Sequence, residues 1–196
     1  MADRVPLDFD PPVHKLRALL LGVDTTELIH PTPCPDWTVA VLLDHLMVLS
    51  QAFAQAARKR TDAPGTAESP PPPSALHLSR HWRSRLPVLL EELATAWKDP
   101  SAWTGTSRVG GATMPATAVG TVAMNELIMH SWDLARATGQ EYFADPRALE
   151  VLIEFLAQGP VASAADEATL LDQALVLAGR DPAWRPPRRR RSAPAA

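Results

Sequence analysis

The chain has 196 residues, of which 46% are hydrophobic and 21% charged, and a formal net charge of −3 at pH 7. These values are typical of one ordinary globular domain and exclude a disordered or fibrous chain. Its single cysteine excludes an internal disulfide and a cysteine-rich zinc module.

Charge is distributed unevenly along the chain. Six of the 19 Lys and Arg residues, but one of the 22 Asp and Glu residues, lie from Arg180 onward. The remaining 13 basic and 21 acidic residues give residues 1–179 a net charge of about −8, which argues against a nucleic-acid partner because phosphate contacts need a basic face. We expect residues 1–184 to form a single domain and the basic residues 185–196 to form a disordered tail.

The sequence contains no sign of export or of a membrane span. Its N-terminus, "MADRVPLDFDPP", has neither a basic region nor an apolar region of a secretory signal. No apolar run approaches the roughly 18–20 residues that a membrane helix needs. We therefore expect a cytoplasmic protein that does not bind membranes.

Helical periodicity dominates the first third of the chain. A first helix is predicted over residues 12–28, where leucines recur at helical spacing. Three prolines in "HPTPCPDWT" end it, because proline cannot continue a helix. A second long helix follows, with Asp36 or Thr38 as its capping residue.

A proline-rich linker separates the second helix from the third. Ser74 is predicted to cap the third helix, and Pro87 within it predicts either a kink or a later start. The pair Gly110-Gly111 lies between short β-prone stretches and predicts a small hairpin.

The remaining elements are again helical. A fourth long helix is predicted from Thr117 to Gly139, since glycine suits the position just after a helix. Two shorter helices are predicted over 146–158 and 165–178. Four long amphipathic helices indicate an all-α fold of the helical-bundle class, with one or two short extra C-terminal helices.

Polar residues on the apolar faces of these helices are informative, because a bundle buries one stripe of each helix. In the second helix, His45 lies three residues after Leu42 and four before Leu49, which places it on the inward side. It is therefore a candidate for a site in the core.

The fourth helix carries a matching pair. Glu126 and His130 follow Val122 at four-residue spacing beside the apolar stripe, and Asp133 continues the same line. Two histidines and one glutamate form a known catalytic zinc set that leaves a fourth position for water or substrate. From spacing alone, a metal site and a hydrogen-bonded polar pair in the core both remain possible.

A second histidine pair offers an alternative. His77 and His81 are four residues apart in the predicted third helix, but Arg80, Arg83 and Arg85 make that region positive. A positive face disfavours a cation and could instead receive an anionic substrate, or it could be a solvated helix start.

Cys34 lies between two prolines just before a helix start. The helix dipole there could lower the pKa of its thiol and make it reactive. The alternative is a small apolar residue that packs in the turn against Trp37.

Three stretches resemble one known family. They are "PTPCPDWTVAVLLDHL" (31–46), "ELIMHSWDLARATGQ" (126–140) and "LAGRDPAW" (177–184). Together they resemble the DinB-like metal-binding proteins, in the branch that includes the N-terminal domain of mycothiol-dependent maleylpyruvate isomerase. The resemblance extends over about residues 12–184.

This resemblance implies an up-down-down-up four-helix bundle with a divalent metal, usually zinc, at one end of the core. The family's ligands correspond here to His45, Glu126 and His130. His77 and His81 match no ligand of the family. The isomerase's further C-terminal domain has no counterpart in this sequence, so we do not expect maleylpyruvate itself as the substrate.

The resemblance also implies a chemistry, in which a metal helps a low-molecular-weight thiol such as mycothiol to attack a small electrophile. The enzyme would be a thiol S-transferase or an isomerase. Asp133 or Asp44 could orient a ligand histidine. A bundle of this kind could also form a homodimer.

Substrate carboxylates could be neutralised by Arg80, Arg83 or Arg136. Two alternatives stay open. One is a metal-dependent enzyme without thiol chemistry, such as a hydrolase or a pathway-specific cyclase. The other is a non-catalytic bundle that binds a metal only for stability.

Overall fold

The computed structural model describes residues 6–159 and 168–187, and within them the chain is almost entirely helical. The helices are α1 (Asp10–Leu21), α2 (Val39–Ala57), α3 (Trp82–Trp97), α4 (Ala116–Thr138), α5 (Pro146–Leu156) and α6 (Leu170–Leu177). Short 3-10 helices span Thr25–Ile29 and Pro100–Trp103, and β1 (Thr106–Val109) pairs antiparallel with β2 (Ala112–Pro115). The all-α fold with one small hairpin is the predicted one.

Contacts at the helix ends establish that α1 and α3 run in opposite directions. Lys98 Nζ, just after α3, lies 2.7 Å from Asp10 Oδ2 at the start of α1. At the other end, Arg83 in the first turn of α3 donates to the carbonyl of Val23, just after α1.

Helices α2 and α4 are also antiparallel, and α1 and α4 are parallel. The hydroxyl of Ser107, in β1 ahead of α4, donates to the carbonyl of Ala56 near the end of α2. The side-chain amide of Gln140, just after α4, donates to the carbonyl of Leu19 near the end of α1. These directions give the predicted up-down-down-up bundle, in which α1 and α2 each pack against α3 and α4.

The core is made mainly of leucines from all four long helices. Fully buried examples are Leu16, Leu42, Leu43, Leu46, Leu86, Leu90, Leu93, Leu127 and Leu134. By length and composition alone, helix α2 could cross a membrane, but 72% of its apolar stretch is buried inside the protein. A central bundle helix is expected to be this apolar because its neighbours cover it on several sides.

The first helix is shorter than predicted. It ends at Leu21, and a separate 3-10 helix begins after Asp24. The carboxylate of Asp24 accepts from the Thr26 backbone while Glu27 reaches back to the Asp24 backbone, which is a capping box. A helix-start signal therefore lies inside the predicted helix and divides it.

The third helix starts later than Ser74, at Trp82. The Ser74 amide instead donates to Asp44 Oδ2 of α2 at 3.1 Å, which fastens the linker to the bundle. Pro87 lies inside α3 and has no amide hydrogen for the carbonyl of Arg83, one turn earlier. The helix thus starts later than Ser74, as one of the two predictions has it, but the start is five residues before Pro87 and not at the proline.

The fourth helix ends as predicted, with Gly139 in the left-handed region at φ 70°. The last helix is described from Leu170, and the predicted start at Ala165 lies outside the described residues. Most of the predicted tail, residues 188–196, lies outside them as well.

Candidate metal centre

Three predicted ligand side chains meet between α2 and α4. Glu126 Oε2 lies 3.3 Å from His45 Nε2 and 3.0 Å from His130 Nε2, and one ligand atom from each residue lies within 4.8 Å of the other two. Among the described residues this is the one group of three or more such side chains with metal-binding spacing. The group lies at the end of the bundle where α2 and α3 begin and α4 ends.

The turn before α2 adds an aromatic wall to this group. Thr38 caps α2 by accepting from the Val41 amide, so the turn ends one residue after Trp37. The Trp37 ring stacks on His130, with centroids 5.6 Å apart at 19°, and meets the edge of His45 at 4.9 Å. The indole therefore packs against both imidazoles of the group.

The second nitrogen of His130 is held as well. Its Nδ1 lies 2.9 Å from Asp133 Oδ2, one turn further along α4. The same oxygen accepts from Arg180 Nη2 at 3.0 Å. The Asp133 side chain is fully buried, so this chain of contacts is shielded from water.

Opposing effects determine the pKa of Glu126. Burial alone would raise it, but hydrogen bonds from His130 and His45 outweigh burial and hold the pKa far below its usual range. The glutamate is therefore an anion at neutral pH, as a metal ligand must be.

The pKa of His130 moves the other way. Burial alone would lower it, whereas the hydrogen bonds to Asp133 and Glu126 raise it above the usual imidazole value. The two carboxylates thus favour the protonated imidazole, and a cation that binds at Nε2 must displace the proton from that nitrogen.

The three side chains fit a divalent cation. Ligand atoms about 2.0–2.2 Å from one zinc ion lie roughly 3–4 Å from each other, and both glutamate–histidine separations are in that range. Two imidazoles with one carboxylate suit zinc, and a histidine whose other nitrogen meets a carboxylate is common in metal sites. The side chains of His45 and Glu126 are 26% and 28% exposed, which leaves one side of the group accessible.

Of the two aspartates proposed to orient a ligand, the structure brings only Asp133 to a histidine of the group. Asp44 is buried, and its Oδ2 accepts from the Ser74 backbone. The same atom lies 4.0 Å from His77 Nδ1. Asp44 thus holds the linker before α3.

No described contact joins the three arginines proposed to bind substrate carboxylates to His45, Glu126 or His130. Arg80 is exposed in the turn before α3. Arg83 donates to Val23 and Thr25 near the end of α1. Arg136 donates to the carbonyls of residues 182 and 184. The described contacts of Arg83 and Arg136 are structural.

The alternative histidine pair does not share a helix face. His77 lies in a turn and is largely exposed, and His81 is the residue that precedes α3. The four-residue spacing predicted two neighbouring imidazoles only if this stretch were helical, and the helix begins after it.

Cys34 is half-buried in the turn that carries Trp37. Burial raises the pKa of its thiol, and the nearby carboxylates of Asp133 and Glu126 raise it further, against a lowering effect of Arg180. This direction is opposite to the lowered pKa of a reactive thiol. Its carbonyl accepts from the Trp37 amide, in keeping with a structural role in the turn.

Sequence reasoning missed two residues of this site. The sequence indicates Trp37 only as a packing partner of Cys34, and it indicates no role for Arg180. Both lie in non-helical segments, where helical periodicity gives no direction for a side chain. Arg180 does lie within "LAGRDPAW", one of the three family-like stretches, and that was the signal available.

Comparison with known proteins agrees with this fold. Two uncharacterized proteins of Mycobacterium tuberculosis, from strains CDC 1551 / Oshkosh and H37Rv, are each 28% identical over 140 residues, which is 71% of this chain and 69% of theirs. A crystal structure of the mycothiol-dependent maleylpyruvate isomerase matches with a TM-score of 0.52 at 18% identity. That match covers 76% of this chain and 66% of the isomerase chain, so this chain spans just under two thirds of it.

A crystal structure of a mutant of the same isomerase matches with a TM-score of 0.48 at 19% identity. A family model, the mycothiol maleylpyruvate isomerase N-terminal domain, matches residues 10–135, well over half of the chain. The matched range contains His45, Glu126 and His130. The chain belongs to the mycothiol maleylpyruvate isomerase N-terminal domain family.

Proposed function

We propose that this chain is a metal-dependent enzyme that activates a low-molecular-weight thiol for addition to, or transfer onto, a small electrophile. The observation that carries the proposal is the convergence of His45, Glu126 and His130 on one open-sided group. Membership of a family named for a mycothiol-dependent isomerase supports the thiol class.

In this proposal His45, Glu126 and His130 hold one divalent ion, with zinc favoured by the donor types. When bound, such an ion acts as a Lewis acid and lowers the pKa of a thiol from its free value of about 8.5. Glu126, kept anionic, supplies the negative charge of the ligand set. Asp133 holds Nδ1 of His130, so Nε2 is the nitrogen that faces the ion.

The charges of the site favour an anionic ligand. Two neutral imidazoles and one carboxylate around a divalent ion leave a net charge of +1, while Asp133 and Arg180 balance each other. One thiolate would neutralise this charge in a partly buried place, where an unbalanced charge is costly.

The thiol must come from outside the chain. Cys34 is the single cysteine, and the raised pKa of its side chain keeps it protonated at neutral pH. The Trp37 ring packs against both histidines and would limit the access of water to that side of the group.

Calorimetric titration of the zinc-loaded protein with mycothiol tests this proposal. We expect binding with release of about one proton per thiol, because the thiolate is the form that a metal binds. The S-methyl derivative, which cannot ionise, is the matched control ligand and should not bind measurably. The protein stripped of zinc should bind neither compound.

Two outcomes would contradict the proposal. Equal binding of mycothiol to the zinc-loaded and stripped proteins would show that the thiol does not bind at the metal site. No binding to a protein that does hold zinc would favour a non-thiol enzyme or a non-catalytic metal-binding bundle.

A further inference from the structure

We propose that Arg180 is a positioning residue for the metal centre, acting through Asp133 on the ligand His130. This inference rests on the metal site proposed above. It makes zinc affinity depend on a segment that follows α6 and lies outside the family-matched residues 10–135.

The contacts form an unbroken series. Arg180 Nη2 lies 3.0 Å from Asp133 Oδ2, and the same oxygen lies 2.9 Å from His130 Nδ1. The other oxygen, Oδ1, is buried and has no hydrogen-bond partner among the described residues. The orientation of Asp133 therefore depends on the contacts of one oxygen, and Arg180 makes one of the two.

Charge gives a second reason. Asp133 is fully buried, and a buried carboxylate without a cationic partner costs several kcal/mol. His130, which also contacts it, would be neutral with a metal ion bound, so the described cation in contact with it would then be Arg180. Without that guanidinium, the carboxylate would gain by rotating toward water or another donor, and His130 would lose the group that fixes its ring.

The arginine is itself held in place. Its Nη1 donates to the carbonyl of Ala178 at 3.0 Å. Two residues further along, the segment is fastened to α4, because Arg136 Nη2 donates to the carbonyls of Pro182 and Trp184. The indole of Trp184 also packs against the core. The segment therefore presents Arg180 to Asp133 in one arrangement.

Zinc affinity, measured by competition with a chromophoric chelator on the full chain, tests the inference. Arg180→Gln should weaken zinc binding about 10- to 100-fold, the usual cost of losing a partner behind a ligand. Arg180→Lys keeps the charge but not the guanidinium fork, and should lose less than Arg180→Gln. Arg185→Gln is the matched control, because Arg185 donates within its own segment, to the carbonyls of Ala183 and Trp184. It should bind zinc as the unmodified protein does.

A double-mutant cycle separates positioning from general loosening of the fold. If Arg180 acts through Asp133, Arg180→Gln should have little further effect in an Asp133→Asn background. A loss of the same size in that background would overturn the inference, and so would an unchanged zinc affinity of Arg180→Gln. If Arg180→Gln fails to fold, Arg180→Lys decides, and an affinity equal to that of the unmodified protein would overturn the inference.

The outcomes for the two proposals can be told apart. If the unmodified protein holds no zinc, the metal site fails and this inference fails with it. If the unmodified protein holds zinc and Arg180→Gln holds it equally well, only the role of Arg180 is refuted.

Discussion

Both ring nitrogens of His130 are in contact with a carboxylate, and the two carboxylates have different roles. Nε2 faces Glu126, and Nδ1 faces Asp133, which is buried and paired with Arg180. A carboxylate in that position fixes which nitrogen carries the proton and increases the basicity of the other. Asp44 is also buried, but its carboxylate serves the linker before α3.

Substitutions of Asp133 and Asp44 should therefore affect different properties of the protein. Asp133→Asn should weaken zinc binding about 10- to 100-fold, because the amide is a poorer acceptor for Nδ1 of His130. Asp44→Asn should leave zinc affinity unchanged and lower the free energy of unfolding by about 1–3 kcal/mol, because the Ser74 amide loses a charged acceptor. Chelator competition and urea unfolding measure the two effects. Equal losses of zinc affinity in both variants would contradict this assignment.

The raised pKa of His130 predicts how the stability of the metal-free protein depends on pH. A histidine whose folded pKa exceeds its unfolded value of about 6.5 stabilises the fold fully below that value. The contribution is lost as the pH rises through the folded pKa. The free energy of unfolding of the stripped protein should therefore fall as the pH rises above about 6.5.

Zinc should reverse this trend, because the ion competes with the proton at His130 and binds more tightly as the pH rises. Parallel urea titrations of the stripped and the zinc-loaded protein between pH 6 and 8 would show opposite slopes, at a fixed concentration of free zinc. A stripped protein that gains stability over this range would contradict the pKa direction inferred for His130.

The limits of sequence reasoning at this scale follow from where each residue lies. His45, Glu126 and His130 lie in long helices, where their spacing from buried leucines indicates an inward face. Trp37 and Arg180 lie in turns, where side-chain direction depends on contacts remote in sequence. The carboxylate of Asp133 brings Arg180 to the site from 47 positions away.

At the scale of elements, the helix ends were the hardest features to predict. Helix α1 ends at Leu21, before the capping box of Asp24 and Glu27, and the side-chain amide of Gln140, just after α4, donates to the carbonyl of Leu19. The linker residue Ser74 does not cap α3, because the helix begins only at Trp82, and its backbone amide donates to Asp44 of α2. The end of α1 did carry a local signal, the Asp24–Glu27 capping box, whereas the place of Ser74 depends on a tertiary contact that no local pattern reports. The end of α4 was predictable because Gly139 is itself the signal, with its left-handed backbone.

The end of the bundle opposite the metal centre is closed by tryptophans packed on a glycine of α4. A methyl group at Gly120 would lie 2.5 Å from a ring carbon of Trp103 and 2.9 Å from one of Trp97. The two indoles lie 4.7 Å apart at 60°, and the Trp103 indole donates to the carbonyl of Trp97. The close approach of these rings requires the absence of a side chain at this position.

Gly120→Ala should therefore destabilise the protein by about 1–3 kcal/mol through overpacking, less up to about 1 kcal/mol regained from helix propensity. Zinc affinity should not change, because the substitution lies at the other end of the bundle. Thr117→Ala, at an exposed position of the same helix, is the control and should stay within about 0.5 kcal/mol of the unmodified protein. A Gly120→Ala protein as stable as the control would contradict this prediction, because it would show that the two tryptophan rings can move to accommodate the methyl group.

At the scale of the whole molecule, the metal centre exists only when the bundle is folded. Its histidines and glutamate come from α2 and α4, which are separated in sequence by the linker, α3 and the hairpin. Residues 45 and 126 meet only when the bundle has formed, so an ion that binds there binds the folded state. The bundle class was predictable from periodicity alone. The arrangement of its helices was predictable only from the resemblance, since amphipathic faces do not specify which helices become neighbours.

Zinc should consequently stabilise the whole bundle. At a free zinc concentration 100 times the dissociation constant, linkage predicts about 2.7 kcal/mol of added stability. For a chain of this length that corresponds to a rise in melting temperature of about 5–11 °C. Thermal unfolding with and without a chelator measures the shift, which should be absent in Glu126→Gln. An equal shift in that variant would place the bound zinc elsewhere.

The central claim, that His45, Glu126 and His130 together hold one divalent ion, is tested most directly by the zinc content of the protein after dialysis against a defined free-zinc buffer. We expect one zinc per chain in the unmodified protein and in His77→Ala, whose imidazole is outside the group. We expect at most a small fraction of one zinc in His45→Ala. A His45→Ala protein that keeps a full equivalent, or an unmodified protein that keeps none, would contradict the account.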